Sequence, residues 1–310
     1  MIAFVFPGQG SQKVGMGVEL AEASAAAREV FGEVDEALSQ NLAKLMAEGP
    51  ESELTLTANA QPAIMANAMA VAKVLEEGGF HLAEKGDCVA GHSLGEYTAL
   101  ASVGAFSLTD TAKLLRTRGI AMQDAVPIGL GAMCALLGAD LEKAQALADA
   151  AAQGQVCEVA NDNDPTQVVL SGHMEAIDRA VELAKEHGIK RAIKLPVSAP
   201  FHCSLMEPAA QRMDIALNNT PPHAFRLPLY ANVTAAEVTD PATERDLLVQ
   251  QITGRVRWRE SVLAMQAAGV THFVELGGKV VGPMIRKIAP DCTVTSVVTM
   301  DDIEALAKEI

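Results

Sequence analysis

The chain has 310 residues, 49% apolar and 20% charged with no long biased run, so it is a folded globular protein with room for one large domain or a domain carrying an insert. Its formal charge of −15 at pH 7 argues against nucleic acid as a partner and makes any acidic partner harder to dock. The five cysteines, Cys88, Cys134, Cys157, Cys203 and Cys292, are odd in number and scattered, which fits a reducing, cytoplasmic setting and neither a disulfide framework nor a zinc site.

From the N-terminus, "IAFVF" (2–6) predicts a buried strand rather than a signal peptide, and "PGQGSQ" after it a tight Gly-rich loop. No stretch reaches membrane-spanning length. Helical spacing of alanine, leucine and methionine runs from about 17 to 47 and from about 60 to 77. Residues 87–91 read as a second buried strand, with helices following to about 125. Strands alternating with helices predict an α/β layer with a parallel sheet.

Between about 127 and 196 the pattern changes. "GAMCALLG" predicts a strand, "DLEKAQALADAAA" a helix, "VCEVAN" and "TQVVLSG" paired strands, "MEAIDRAVELAKEHG" a helix and "RAIKL" a strand. That order is βαββαβ, a ferredoxin-like unit able to bury its own small core. The predicted division is a catalytic domain over 1–126 and 197–310 interrupted by a subdomain over 127–196. A helix at about 203–217, a strand near 228, and helix, strand and helix over about 243–289 complete the main domain.

The second strand runs into Gly91-His92-Ser93-Leu94-Gly95. A serine between glycines on a sharp strand-to-helix turn has its hydroxyl lifted clear of the sheet, as a nucleophile needs. A helix N-cap serine would suit the same position. A serine nucleophile needs a base. His92 is adjacent but should point away from the nucleophile's face. His81, His173, His187, His223 and His272 lie in polar or turn-like surroundings that suit solvated histidines. His202, in "VSAPFHCSLM", follows a proline-containing turn at the start of a helix, where it is either the base or a simple loop histidine. No acidic third member is evident, since Asp162 and Asp164 lie in "NDNDP", where aspartates serve turn geometry. A histidine oriented by a carbonyl is chemically adequate.

On "TAKLLRTRGIAMQ", Arg118 has Leu114, Leu115, Ala121 and Met122 three and four residues away, whereas Arg116 lies about 200° round the helix. Arg118 is therefore predicted to point inward. An inward arginine needs an anion, either an internal Asp or Glu or a substrate carboxylate held by the guanidinium fork.

These residues, with "FPGQGSQ", "NAQPAIM", "RGIAMQDAVP" and "SAPFH", closely resemble the malonyl-CoA:acyl carrier protein transacylases of fatty-acid synthesis, in order over essentially the whole chain. The resemblance implies a hydrolase-like α/β core with an inserted ferredoxin-like subdomain. It implies that Ser93 is the acylated nucleophile, His202 the general base and acid, and Arg118 the anchor for malonate. The backbone N–H groups of Gln9 and Leu94 would form the oxyanion hole. Gln251, next to Gln250, would offer the histidine a carbonyl acceptor, and Phe201 would narrow the acyl pocket. Malonyl-CoA and the phosphopantetheine arm of acyl carrier protein are then substrates, with no metal or bound redox cofactor required. One departure is Gly277-Gly278, where many members read Gly-Pro-Gly; it predicts a more flexible loop. Two other readings compete: a serine hydrolase in which water takes the second step, and a scaffold that docks carrier proteins without catalysis. Two basic groups are candidate docking patches, Lys190, Arg191 and Lys194, and Arg255, Arg257 and Arg259.

Overall fold

A computed structural model describes residues 1–197 and 199–309; Ser198 of the "SAPFH" motif lies outside the described residues. The first half contains β1 (Ile2–Phe6), α1 (Val18–Ala23), α2 (Ala25–Leu38), α3 (Leu42–Glu48), α4 (Glu51–Leu54), α5 (Thr57–Glu77), α6 (Leu82–Lys85), β2 (Cys88–Gly91), α7 (Gly95–Ser102) and α8 (Leu108–Asp124). Next come β3 (Gly131–Leu137), α9 (Leu141–Ala152), β4 (Cys157–Asp164), β5 (Gln167–His173), α10 (Met174–Leu183) and β6 (Arg191–Lys194). A 3-10 turn (Ser204–Met206) leads into α11 (Glu207–Asn219), β7 (Leu229–Tyr230), β8 (Glu237–Val238), α12 (Pro241–Thr253), α13 (Trp258–Ala267), β9 (His272–Leu276), α14 (Val281–Ile288), β10 (Thr293–Val297) and α15 (Met300–Glu309).

The strands form two sheets. The larger has the order β10-β9-β1-β2-β7-β8, parallel except for the antiparallel edge strand β8. Its central strands carry side chains into a core on each face, as period-two alternation requires. Phe4 and Phe6 point into the cluster built with α2, α5 and α8. Ala3 and Val5 point into the opposite cluster, with Trp258 of α13 and Ile285 of α14. The smaller sheet is antiparallel in the order β4-β5-β3-β6, the strand order of a ferredoxin-like βαββαβ unit. Cys134, Leu136, Val168 and Leu170 pack beneath α9 and α10, while Met133, Ala135 and Val169 on the other face join the main core.

The helical run expected at 17–47 is three helices. Ser24 breaks it by accepting a hydrogen bond from the Ala27 amide, and Asn41 restarts it by accepting from Lys44. The run expected from 60 begins at Thr57 and carries Pro62 inside its second turn.

Ion pairs tie the smaller sheet to helices α13 and α14 where the sequence suggested only turn aspartates. Asp162 and Asp164 lie on β4, almost fully buried. Asp162 takes Arg259 at 2.9 Å, and Asp164 takes Lys287 at 2.9 Å while its other oxygen accepts from Thr166 in the hairpin turn. A backbone bridge between Asn161 and Val256 extends the same seam. Nor do all the histidines lie in turns: His272 opens β9 and bonds Thr295 Oγ1 at 2.8 Å, and His173 ends β5 with Nδ1 accepting from the Val156 amide.

The Gly277 loop is tied down rather than loose. Gly277 accepts from Asn67 Nδ2 at 2.9 Å and donates to Val297, and a Cβ there would lie 2.5 Å from the Ala68 Cα. Close approach to α5 takes the place of the proline as the constraint. No described helix is long and apolar enough to cross a membrane.

Candidate active site

Strand β2 ends at Gly91 and α7 begins at Gly95, so His92, Ser93 and Leu94 make the whole turn. Neither glycine can carry a side chain. A Cβ on Gly91 would fall 1.9 Å from the Gly95 carbonyl carbon, and one on Gly95 would fall 2.4 Å from the Phe6 oxygen. The turn forces Ser93 to φ 55°, a left-handed conformation that non-glycine residues rarely hold outside functional sites.

His202 meets it across the cleft. Its Nε2 lies 2.7 Å from Ser93 Oγ, and its Nδ1 lies 2.9 Å from the backbone oxygen of Gln251. The carbonyl can only accept, so Nδ1 carries the ring proton and Nε2 is left to accept from the serine hydroxyl. His202 also holds a left-handed backbone, φ 57°, and is 4% exposed, so it is buried rather than a loop histidine open to solvent. Burial above all, then the Arg118 charge, pushes its pKa down to about 3.

Arg118 lies on α8, 1% exposed, as its apolar neighbours predict. Its Nη1 donates to Gln61 Oε1 at 2.9 Å, and its Nη2 donates to Gln251 Oε1 at 2.8 Å and to Ser93 Oγ at 3.1 Å. The guanidinium also stands over the Tyr97 ring, 5.7 Å from its centroid. Among the described residues no carboxylate forms an ion pair with it, and Nε has no hydrogen-bond partner. A buried cation held by neutral amides is set for an anion from outside. Arg116, on the other side of the helix, bonds Gln40.

A cavity of about 370 Å³ opens onto these groups. Gln9, Leu94 and Phe201 line it with Ser93, Arg118 and His202, so the structure brings all these sequence-predicted residues to one place. Its far wall is the smaller sheet, through Met133, Ala135 and Val169. Gln251 is wholly buried, whereas Gln250 is exposed, so the neighbour-or-next alternative resolves to Gln251, which meets His202 with its backbone and Arg118 with its side chain. His92 points away from the serine, with Nε2 on Asn163 Oδ1 at 2.8 Å and its ring edge on Trp258.

Sequence reasoning gave no role to Gln61, although a glutamine inside the apolar run "AQPAIM" breaks the same local rule that exposed Arg118. Asn232, which accepts from the Ser93 amide at 2.8 Å, left no signal beyond a polar residue after a short strand.

The acyl transferase domain family matches residues 3–278. The malonyl CoA-acyl carrier protein transacylase of Bacillus subtilis (strain 168) is 44% identical over 93% of this chain and 90% of its own length. The structure resembles an acyl-carrier-protein-S-malonyltransferase from Bartonella henselae with a TM-score of 0.97 and 50% identity, covering 99% of this chain and 98% of that one. It also resembles a malonyl-transacylase solved in complex with its type II PKS acyl-carrier protein, with a TM-score of 0.96, 35% identity and coverage of 100% and 99%. With a buried Ser93–His202 pair at the head of a parallel sheet and these relatives over nearly its full length, the chain belongs to the acyl transferase domain family, among the malonyl CoA-acyl carrier protein transacylases.

Proposed function

We propose that this chain is an acyl-carrier-protein S-malonyltransferase for fatty-acid biosynthesis, moving the malonyl group of malonyl-CoA to the phosphopantetheine thiol of acyl carrier protein through a malonyl-serine intermediate. The observation that carries this reading is the placement of Arg118, a buried guanidinium 3.1 Å from the Ser93 oxygen that forms no ion pair with a carboxylate among the described residues. A generic esterase has no use for a carboxylate anchor there; a malonyl group supplies the carboxylate.

His202 Nε2 takes the Ser93 proton as Oγ attacks the thioester carbonyl. The oxyanion falls to the backbone N–H groups of Gln9 and Leu94, the second at the start of α7, whose positive end adds to the stabilisation. The carbon–sulfur bond breaks and the CoA sulfur takes the proton from His202. The carrier's thiol then gives its proton to His202 and attacks the ester carbonyl, and collapse returns the proton to Ser93. His202 carries every proton transfer in this scheme and backbone N–H groups meet the oxyanion, so it calls on no metal or bound cofactor.

The electrostatics favour the right substrate. An imidazolium forming beside Arg118 is repelled by it, and that repulsion helps hold the His202 pKa low. A malonyl carboxylate seated on Arg118 cancels much of that repulsion, so binding raises the basicity of His202 when it is needed. Acetyl-CoA cannot do so. Four buried cysteine thiols and the half-buried Cys292, none in a disulfide among the described residues, suit the reducing cytoplasm in which we place the enzyme.

The test is intact-mass measurement of the full chain with malonyl-CoA, with and without holo acyl carrier protein. One malonyl group should appear on Ser93 and pass to the carrier when it is added. Absence of the adduct, or its loss to water as fast without carrier as with it, would overturn the reading.

A further inference from the structure

One buried residue joins the Ser93 turn to Gln251 without lining the cavity. Asn232 follows β7 and is 0% exposed. Its side-chain amide donates to the Gly91 oxygen at 2.7 Å, and its Oδ1 accepts from the Ser93 amide at 2.8 Å and from Gln251 Nε2 at 3.4 Å. It therefore grips the turn on both sides of His92, and the same Gln251 amide also donates to the Ser93 oxygen at 3.0 Å. Its own backbone N–H donates to Glu96 Oε2 at 2.8 Å, and its carbonyl accepts from Arg257.

Glu96 on α7 and Glu244 on α12 are both 0% exposed and in contact, with no ion-pair partner among the described residues. Two such carboxyl groups cannot both ionise. Burial is the largest influence on each. It lifts Glu96 to about 7 and Glu244 well above its usual value, and the contact between them lowers the first and raises the second. The two carboxyls therefore hold a proton as a pair, and Glu96 Oε2, charged or neutral, accepts from the Asn232 amide. The other ionisable groups around this hub are Tyr97 on α7, Arg118 on α8 and His202, with the Arg257 guanidinium turned to Glu260.

We infer that Asn232, seated on the buried Glu96–Glu244 carboxyl pair, is the positioning residue that holds Ser93 in its left-handed turn and Gln251 beneath the His202 ring. Released from Asn232, the turn relaxes toward ordinary backbone angles and Ser93 Oγ leaves the 2.7 Å contact with His202. This inference rests on the acyl-transfer reading, so its test uses two readouts. Malonyl transfer is measured in the full chain, and Ser93 labelling by a fluorophosphonate is measured beside it, because that reaction needs a poised serine but no malonyl group.

Asn232→Ala should lower kcat and the labelling rate together, each on the order of 10²-fold, with KM for malonyl-CoA within about threefold of wild type. Asn232→Asp guards against an alanine variant that fails to fold. Its protonated acid mimics the amide by donating to Gly91 and accepting from Ser93, so its labelling rate relative to wild type should rise as pH falls. Glu244→Gln, which keeps a donor toward Glu96, should restore most of the rate lost in Glu244→Leu. An alanine variant labelled within about twofold of wild type, or an aspartate variant with the wild-type pH profile, would overturn the inference. Fluorophosphonate labelling that follows these expectations in a chain that takes no malonyl group would overturn the transfer reading and leave the positioning role standing.

Discussion

Arg118 hydrogen bonds the Ser93 hydroxyl oxygen at 3.1 Å, so a buried positive charge rests against the nucleophile before any acyl group arrives. In the proposed reaction the guanidinium that would anchor the carboxylate also stabilises negative character on Oγ and opposes positive charge on His202. Selectivity and basicity thus run through one guanidinium.

Arg118→Ala should therefore lower kcat/KM for malonyl-CoA by roughly 10–10²-fold, the worth of a charge-assisted hydrogen-bonded pair, while kcat/KM for acetyl-CoA holds or rises. The ratio of the two is the quantity to measure. Phe201, 8% exposed on the cavity wall, should sharpen discrimination against a branched methylmalonyl group, and Phe201→Ala should relax it. Full malonyl preference in the Arg118 variant would make that residue structural.

The pH dependence follows from the depressed His202 pKa of about 3. The free enzyme's base is already unprotonated through the neutral range, so log kcat/KM should show no histidine break near 6.5. Removing Arg118 deletes one of the two main influences holding the value down. The acid limb of fluorophosphonate labelling should move upward in Arg118→Ala, though not as far as 6.5, because burial remains. Stability carries the same sign. An unfolded chain takes up a proton on this histidine as pH falls through about 6.5 and the native chain does not, so native stability should fall from there toward pH 3. The Arg118 variant should lose less over that interval in urea titrations.

His202→Ala should lower transfer by about 10²–10⁴-fold, the usual share of general acid–base catalysis. Ser93→Ala should abolish the acyl-enzyme. Gly95→Ala tests the turn itself: its Cβ would stand 2.4 Å from the Phe6 oxygen on β1, and the overpacking should cost about 3 kcal/mol or more by urea unfolding. A Gly95 variant of normal stability would show that the turn can give way.

Particular residues explain what was legible beforehand. The turn at Ser93 could be read because a strand, two glycines and a helix start are local features, and each leaves its mark in sequence. Arg118 could be read because a charge among leucines at helical spacing violates periodicity. Strand β10 and helix α15 leave no such mark. "TVTSV" forms an edge strand whose residues are mostly half-exposed, so it lacks the continuous apolar run of β1 and β2. The partners of Asp162 and Asp164 went unread because Arg259 and Lys287 lie about 100 residues away, and nothing local to "NDND" records a cation arriving from α13 and α14. Asn232 went unread for the same reason. Its meaning lies in Gly91, Ser93, Glu96 and Gln251, contributed by two other stretches of chain.

The structure narrows the surface on which the carrier can dock. Acyl carrier proteins are acidic as a family and this chain carries −15, so the encounter needs a local basic patch near the cleft. Of the two groups read from sequence, Arg255 and Arg257 both pair with Glu260, and Arg259 pairs with Asp162, so that group is largely neutralised within the fold. Lys194 is likewise held by Asp178 at 2.7 Å. Lys190 and Arg191 are exposed and form no ion pair among the described residues, and β6 runs from them directly into Leu195, Pro196 and Val197 on the cavity wall. Charge reversal at both, Lys190→Glu with Arg191→Glu, should raise KM for the carrier severalfold and leave that for malonyl-CoA nearly unchanged. The effect should shrink between low and physiological salt, as surface electrostatics do. Equal losses for both substrates, or no change for either, would remove this pair from the docking surface and return attention to the arginines from 255 to 259.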